Sequence, residues 1–312
     1  MQVLVTGANG FVGRALCAEA VSRGMAVRGI TRASGDLPIS VENFAVGGID
    51  GNTDWQDVLT GCDVVVHLAA RVHVMADTAA NPLDEFRRLN VQGTLNLARQ
   101  AAAAGVKRFV FVSSIKVNGE ATQLGSPFTA DDAPAPLDAY GVSKMEAEQG
   151  LREIARQTGM EVVIIRPPLV YGPGVKANFA AMMRWLKRGV PLPLGAIYNQ
   201  RSLVALDNLV DLIVTCLTHP AAANQTFLVS DGEDVSTTEL LRRMGQALGC
   251  PARLVPVPAS WLKLAAAGVG KSDVAQRLCG SLQVDIEKTR RLLSWSQPLS
   301  LDEGLRRAAG VD

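Results

Sequence analysis

Residues 2–13 read QVLVTGANGFVG: an apolar run, a glycine-rich turn and an apolar helix start in direct succession. Val3, Leu4 and Val5 show no alternation of apolar and polar residues, the pattern of a strand buried on both faces of a parallel sheet. Gly7, Gly10 and Gly13 follow with the spacing G-x-x-G-x-x-G. The first two allow a tight turn and close backbone approach to a pyrophosphate, and the third lets helix and strand pack closely. The helix that begins near Phe11 and Val12 turns its free N–H groups and the positive end of its dipole towards the same place. Such glycines alone also fit a turn that binds nothing. Here the strand before them and the amphipathic helix after them (Phe11, Val12, Ala15, Leu16, Ala18, Glu19) decide for a dinucleotide site.

Outward from this turn, strand-like runs at 26–31, 43–46, 63–68, 108–113 and 161–166 alternate with helical patterns at 12–22, 54–59, 82–104 and 139–158. That order predicts an α/β fold, a Rossmann-type doubly wound parallel sheet over residues 1–167. Beyond Arg166 the pattern loosens into PPLVYGPG, helices at 179–187, 206–218, 236–248 and 286–293, and short strands at 202–205, 226–229 and 254–257. Residues 168–312 are expected to form mainly a smaller, interleaved α/β substrate lobe, with segments near 200–230 returning to the dinucleotide-binding domain.

The chain has 312 residues, 48% apolar and 20% charged, enough to bury a large core. Net charge is +1 and neither sign forms a block of five, which argues against a nucleic-acid tail or a polybasic membrane anchor. The partners expected are small molecules, with no nucleic acid and no membrane. No apolar run reaches the roughly 18 residues of a membrane helix, and the first strand follows the N-terminus at once, so a cytoplasmic location is expected. Cys17, Cys62, Cys216, Cys250 and Cys279 are widely spaced, as are His67, His73 and His219. They read as reduced core thiols and scattered histidines, and no metal site is expected.

Tyr140 and Lys144 stand four apart in AYGVSKMEAEQ at the start of a predicted helix, so both side chains emerge on one face. A phenol titrates near about 10 and is a poor base at neutral pH, but an ammonium beside it favours the phenolate. Ser114 ends the fifth strand in FVFVSSIKVNGE, at the carboxyl edge where open α/β sheets bind ligands, and its hydroxyl can hold a substrate oxygen. Each residue alone fits an ordinary surface or strand-end position; together, behind a glycine-rich turn, they form a candidate catalytic set. The end of the second strand bears on the cofactor. An acid about 20 positions beyond the glycines serves the ribose of NAD, whereas an arginine accommodates the 2′-phosphate of NADP. Thr31 and Arg32 stand there, so NADP(H) is expected to be accepted besides or in preference to NAD(H); the alternative is that Arg32 faces solvent and Asp36 supplies the acid.

With these motifs in place, the chain resembles the extended short-chain dehydrogenase/reductase family, in its nucleotide-sugar epimerase/dehydratase branch, over essentially its whole length. TGANGFVG is similar to the family's TGxxGxxG, DVVVHLAA at 63–70 to its fourth-strand signature, Asn90 to its helix asparagine, and Tyr140 with Lys144 to YxxxK; Ser114 holds the catalytic Ser/Thr position. RPPLVYGPG is similar to RxxNVYGPG, Asn178-Phe179 to the pair contacting the substrate diphosphate, and RSLVALDN to the segment in which an arginine, here Arg201, meets a nucleotide phosphate. The resemblance implies that Tyr140 is the acid/base, that Lys144 also holds the nicotinamide ribose, and that Ser114 orients the reacting oxygen. A guanidinium suits the diphosphate at Arg201, where the plain alternative is a solvated loop charge. The implied cofactor site is Gly7, Asn9, Gly10, Phe11, Val12, Gly13, Thr31, Arg32, Leu68, Ala69, Ala70, Asn90, Tyr140, Lys144 and Pro167. The implied substrate site is Ser114, Lys116, Asn118, Asn178, Phe179 and Arg201.

Departures from the family pattern fall around the sugar. Val117-Asn118-Gly119, with Lys116 before it, replaces the usual VYG, Leu169 replaces an asparagine, and Gly48 replaces an aspartate near the adenine. The string SSIKVNGE resembles surface-polysaccharide proteins that handle C4 of UDP-linked N-acetylhexosamines. The expected activity is therefore hydride transfer at that carbon, first as a UDP-4-keto-sugar C4 reductase in surface-polysaccharide precursor synthesis. A UDP-glucose or UDP-GlcNAc 4-epimerase with tightly bound NAD is the alternative, and a non-catalytic dinucleotide-binding protein stands behind both. The helices at 82–104 and 139–158 resemble the family's dimer-forming bundle, so a homodimer is expected.

Overall fold

Val3, Leu4 and Val5 lie wholly buried in the middle of a parallel sheet, flanked by strands on both sides. The computed structural model describes residues 1–33, 37–72, 81–175, 177–268, 270 and 272–311, without the side chains of 177, 178 and 273. Its strands are β1 (Gln2–Thr6), β2 (Ala26–Thr31), β3 (Val41–Ala45), β4 (Val64–His67), β5 (Arg108–Val112), β6 (Glu161–Arg166), β7 (Leu169–Tyr171), β8 (Arg201–Ala205), β9 (Thr226–Leu228) and β10 (Asp234–Val235). Seven of them form one sheet in the order β3-β2-β1-β4-β5-β6-β9, with every neighbouring pair parallel. The strand order reverses between β1 and β4, which opens a crevice at their carboxyl ends. β10, β8 and β7 form a second, three-stranded sheet.

The helices are α1 (Phe11–Ser22), α2 (Gln56–Leu59), α3 (Pro82–Phe86), α4 (Thr94–Ala103), α5 (Ala139–Thr158), α6 (Ala177–Lys187), α7 (Leu206–Thr218), α8 (Thr237–Ala247), α9 (Ala259–Gly268), α10 (Ser272–Cys279), α11 (Glu287–Leu293) and α12 (Leu301–Ala309). Leu16 and Ala20 of α1 and Leu209, Ile213 and Leu217 of α7 cover one face of the large sheet. Leu97 and Ala101 of α4 and Ala147, Leu151 and Ile154 of α5 cover the other. Thus α7 and β9 come from the second half of the chain yet complete the large sheet and its cover. A separate core of Tyr171, Phe179, Leu186, Leu203, Leu240, Leu241, Leu301 and Leu305 forms around the small sheet.

The single helix predicted over 82–104 is interrupted: a π-helix, Arg87–Gly93, joins α3 to α4. α5 has firm ends. Asp138 accepts from the Gly141 N–H at 2.7 Å as its N-cap, and Gly159 closes it with φ 75° in the left-handed region. The strand predicted at 254–257 is not one. Leu254 makes an isolated parallel bridge with Leu192, and Pro258 just beyond the segment makes another with Ala196, because Pro251, Pro256 and Pro258 have no N–H to extend a ladder. β7, β10, α9, α10 and α12 lay outside the predicted elements. Among the described residues no helix is long and apolar enough to cross a membrane.

Candidate active site

The glycine turn has the geometry its spacing requires. Gly7 has φ 68°, and a Cβ there would stand 3.0 Å from the Ala69 backbone nitrogen; a Cβ on Gly13 would stand 2.1 Å from the Gly7 carbonyl oxygen. Asn9 and Gly10 are exposed, Phe11 and Val12 half-buried, and among the described residues no side chain caps the start of α1. Its first N–H groups are therefore left for a ligand, and a pyrophosphate fits both the open backbone and the dipole. A cavity of about 880 Å³ opens beside Asn9, Gly10 and Phe11 and reaches Pro173, Gly174 and Leu206. Another, of about 720 Å³, lies at the amino ends of the strands near Met1, Asp63 and Lys107 and contains none of the candidate residues.

Leu68, Ala69 and Ala70 leave β4 alongside this turn. The Leu68 and Ala69 N–H groups both donate to Thr6 Oγ1 at 3.2 Å. His67 lies between Thr6 Oγ1, 2.7 Å from Nδ1, and Thr94 Oγ1, 3.0 Å from Nε2, and stacks on Phe111. Burial, then the charge of Lys144, lowers the His67 pKa to about 3, so the ring is neutral at ordinary pH. Asn90 is 1% exposed and sits within the π-helix. Its Oδ1 accepts from the Arg71 N–H at 2.8 Å, and its Nδ2 donates to the Arg71 carbonyl and to Ser143 Oγ, both at 3.0 Å. Both of its N–H bonds are used inside the protein. The expected cofactor contact becomes a positioning one: Asn90 clamps the loop after β4 to α5.

Tyr140 and Lys144 occupy the first turns of α5. The Lys144 ammonium is buried, donates to the Val112 carbonyl at 3.0 Å, and lies 4.4 Å from the Phe111 ring centre and 5.9 Å from that of Tyr140. Burial brings the Lys144 pKa down to about 7, partly offset by Glu148. Burial, and then the charge of Asp138, raises that of the Tyr140 phenol. The expected lowering of the phenol by the ammonium is thus not met in the protein by itself, because burial disfavours the phenolate and the α5 cap places the Asp138 carboxylate close by. The Tyr140 ring is only partly exposed and packs edge-on against Phe86.

Ser114 follows β5 and caps a short 3₁₀ turn, Ile115–Val117, its Oγ accepting from the Lys116 N–H at 3.3 Å. The Pro167 carbonyl accepts from the Ile115 N–H at 3.0 Å, pinning the exit of β6 beside it. Two expected substrate contacts are otherwise engaged. The Lys116 ammonium pairs with Glu120 at 3.0 Å and with Asp138. Asn118 is 2% exposed, its Oδ1 accepting from Arg166 Nη1 at 2.9 Å and its Nδ2 donating to the Thr129 carbonyl at 2.8 Å. Asn118 is therefore a buried brace and not part of a wall facing substrate. The same Arg166 donates twice to Glu148, at 2.9 and 2.6 Å, and Glu148 accepts from Ser113 Oγ at 2.6 Å. This network was missed in the sequence, although Glu148, four residues after Lys144 on the buried stripe of α5, carried the signal.

Phe179 is 1% exposed and stacks on Tyr171 with ring centres 5.1 Å apart, so its side chain belongs to the small core and faces no ligand. The Asn178 side chain and Asp36 lie outside the described residues. Thr31 is buried and donates to the Ala33 carbonyl at 2.8 Å, while Arg32 is exposed. Arg201, at the start of β8, donates from Nη1 to the carbonyls of Arg277 at 3.1 Å and Gly280 at 3.0 Å, and burial lowers its pKa. A cation held by carbonyl oxygens is not the solvated loop charge of the plain alternative. The 119–129 loop links this corner to the catalytic set: Thr122 N–H donates to Ser281 and Phe128 N–H to Gln283, both at 2.9 Å.

A reversed-order parallel sheet, a glycine turn at its switch point and a Tyr-Lys pair on the neighbouring helix define a short-chain dehydrogenase/reductase. The model of the NAD dependent epimerase/dehydratase family matches residues 3–230, and the chain belongs to that family and is one of its enzymes. UDP-glucose 4-epimerase from Vibrio cholerae is 50% identical to it over 314 residues, which cover 98% of this chain and 94% of that protein. Among solved structures, UDP-N-acetylglucosamine 4-epimerase from Bacillus cereus superposes with a TM-score of 0.80 at 21% identity, over 99% of this chain and 98% of its own. UDP-glucuronic acid 4-epimerase from Bacillus cereus, in complex with NAD, gives 0.79 at 23% identity, over 99% and 96%. These two structures bear on the fold alone.

Proposed function

We propose that this chain is a nucleotide-sugar 4-epimerase that inverts C4 of a UDP-linked hexose or N-acetylhexosamine and keeps NAD(H) bound through the cycle. The observation that carries the reading is the 50% identity, over nearly the whole length of both chains, to a UDP-glucose 4-epimerase. This favours the epimerase alternative over the C4 reductase put first from the sequence. That expectation leaned on Arg32 as a 2′-phosphate partner, and Arg32 is exposed.

Bound NAD supplies the acceptor and donor of the C4 hydride. Gly7, Gly10, Gly13 and the first turn of α1 would hold its pyrophosphate, and Lys144 its nicotinamide ribose. Ser114 would orient the oxygen on C4. Tyr140 would take the proton of that oxygen on oxidation and return it on reduction, which calls for one group poised in both directions. A phenol held neutral by burial is ready as the acid, and its readiness as the base depends on the charge of Lys144 beside it. Arg201 would meet the substrate diphosphate. Residues 1–167 would thus serve the dinucleotide and 168–312 mainly the sugar nucleotide, in a cytoplasmic homodimer formed through the α3–α4 and α5 helices.

The test is turnover without added cofactor. The purified protein should interconvert UDP-glucose and UDP-galactose, or the corresponding N-acetyl pair, with no net change in NAD(P)H. Consumption of added NADPH by a UDP-4-keto-sugar, with no epimer formed from either pair, would return the reductase.

A further inference from the structure

Tyr140, Lys144 and Glu148 stand four residues apart on α5, so they follow one another along one face of the helix. Tyr140 is partly exposed at the site, whereas Lys144 and Glu148 are each 2% exposed. Consecutive residues at the end of β5 meet the two buried ones: the Val112 carbonyl accepts from Lys144 at 3.0 Å, and Ser113 Oγ donates to Glu148 at 2.6 Å. Ser114 is the next residue along. Arg166, the last residue of β6, donates to both Glu148 oxygens and, from Nη1, to Asn118 Oδ1. Asn118 closes the short turn that Ser114 caps. The stretch carrying Ser114 is thus fastened on both sides by groups that lead back to Glu148.

A buried ion pair is a poor source of stability, because desolvating both charges offsets their attraction and apolar residues of similar volume often serve as well. The place of this pair points to another use. Burial lowers the Lys144 pKa to about 7, and the Glu148 carboxylate opposes that fall. Of the other groups that face the ammonium, Tyr140 is held as the phenol by burial, His67 on β4 is neutral, and Phe111 of β5 offers its ring. On the far side of Glu148, Arg166 lies at 2.6 Å and Arg152 at 3.9 Å. Without the carboxylate these two cations would stay behind uncompensated, and the Lys144 ammonium would be harder to keep. Asp138, at the other end of this face, acts on Tyr140.

We propose that Glu148 is a positioning residue of the reaction: its carboxylate holds Lys144 in the charged form and, through Ser113 and Arg166, fixes the stretch that carries Ser114. This rests on the reading of Ser114, Tyr140 and Lys144 as the reacting set. Charge on Lys144 favours the phenolate that takes the proton from the oxygen on C4. Glu148 is buried behind that set and acts through it.

Full-length protein labelled with carbon-13 at lysine Cε reads the titration of Lys144 directly by NMR, its signal being the one lost in Lys144→Met. In Glu148→Gln the midpoint should fall by about one pH unit or more. Above neutral pH kcat should fall with it, by about tenfold, while the Kd for UDP stays unchanged. Glu148→Asp shortens the arm but keeps the charge, and its midpoint should stay near that of wild type. Ser113→Ala should leave the midpoint alone and lower kcat at least about threefold, because Ser114 loses part of its support. If Glu148→Gln does not fold, Glu148→Gln combined with Arg166→Met removes both partners of the pair and should show the same fall in midpoint. Equal midpoints in wild type and the glutamine variant, or equal falls in Glu148→Asp and Glu148→Gln, would overturn the control of charge. A wild-type kcat in Ser113→Ala would overturn the link to Ser114. The midpoints are read without turnover, so they decide the role of Glu148 even if the chain proves to be a reductase and the epimerase reading fails.

Discussion

The Lys144 ammonium donates to the Val112 carbonyl at 3.0 Å, tying the catalytic helix to the last residue of β5, two positions before Ser114. The bond sets the depth of the ammonium beside the Tyr140 ring and the Phe111 face. Lys144→Met keeps most of the stem and removes the donor. It should leave the purified protein with little bound NAD and cut turnover by about a hundredfold or more, read from the nucleotide released on denaturation and from an epimer assay. Full NAD content in this variant would take the ribose-holding role away from Lys144.

Tyr140→Phe removes only the transferable proton. Turnover should drop by about 10²–10⁴-fold while bound NAD and the affinity for UDP stay within a factor of two or so of wild type, since the Tyr140 ring packing on Phe86 is kept. A phenylalanine variant with half the normal rate would mean that another group moves the proton.

Asn118 and Arg201 should separate cleanly. Asn118→Ala takes the partner from Arg166 Nη1 and from the Thr129 carbonyl, while Glu148 still holds the rest of the guanidinium, and should cost about 1–3 kcal/mol of stability, seen as a lower urea midpoint, with KM nearly unchanged. Arg201→Ala should raise KM and the Kd for UDP at least about tenfold with a small change in kcat, the mark of lost ground-state binding. A KM effect at Asn118, or none at Arg201, would reverse these assignments.

His67 gives the stability a pH dependence of known sign. Its pKa is about 3 when folded and near 6.5 ordinarily, so between these values the unfolded chain binds a proton that the folded one refuses. Stability should therefore fall as pH drops from about 6.5 towards about 3. His67→Gln should fall less steeply than wild type in denaturant titrations over that window; parallel slopes would show that other groups govern acid unfolding.

The large sheet was legible in the sequence because its signals are local. Each buried strand is a short apolar run, and the G-x-x-G-x-x-G turn and the Tyr140–Lys144 spacing are set by neighbours along the chain. Asn118 was misread because its environment comes from Arg166 and Thr129, which no periodicity in SSIKVNGE announces. Phe179 was misread because its adjacency to Asn178 hides its stacking on Tyr171 across the small core. The 254–257 segment looked like a strand from its Val and Leu content, and its prolines limited it to single bridges. α9 escaped notice for the opposite reason: with Ser260 and Lys263 as its only polar side chains, it has little period to detect.

The π-helix at Arg87–Gly93 has a consequence for the phase of the long helical segment that contains it. A π turn holds more residues than an α turn, so the segment's two ends face directions that an uninterrupted α-helix would not give them. Each residue advances an α-helix by about 100°. Deleting one residue between 87 and 93 would let the whole segment relax into regular α-helix, a gain by any local measure. It would also rotate Asn90 away from Arg71 and Ser143, or else turn Leu97 and Ala101 off the sheet. The irregular turn is what lets one helix satisfy both the apolar core and the polar clamp, and a sequence made more ideal at this place would lose one of them.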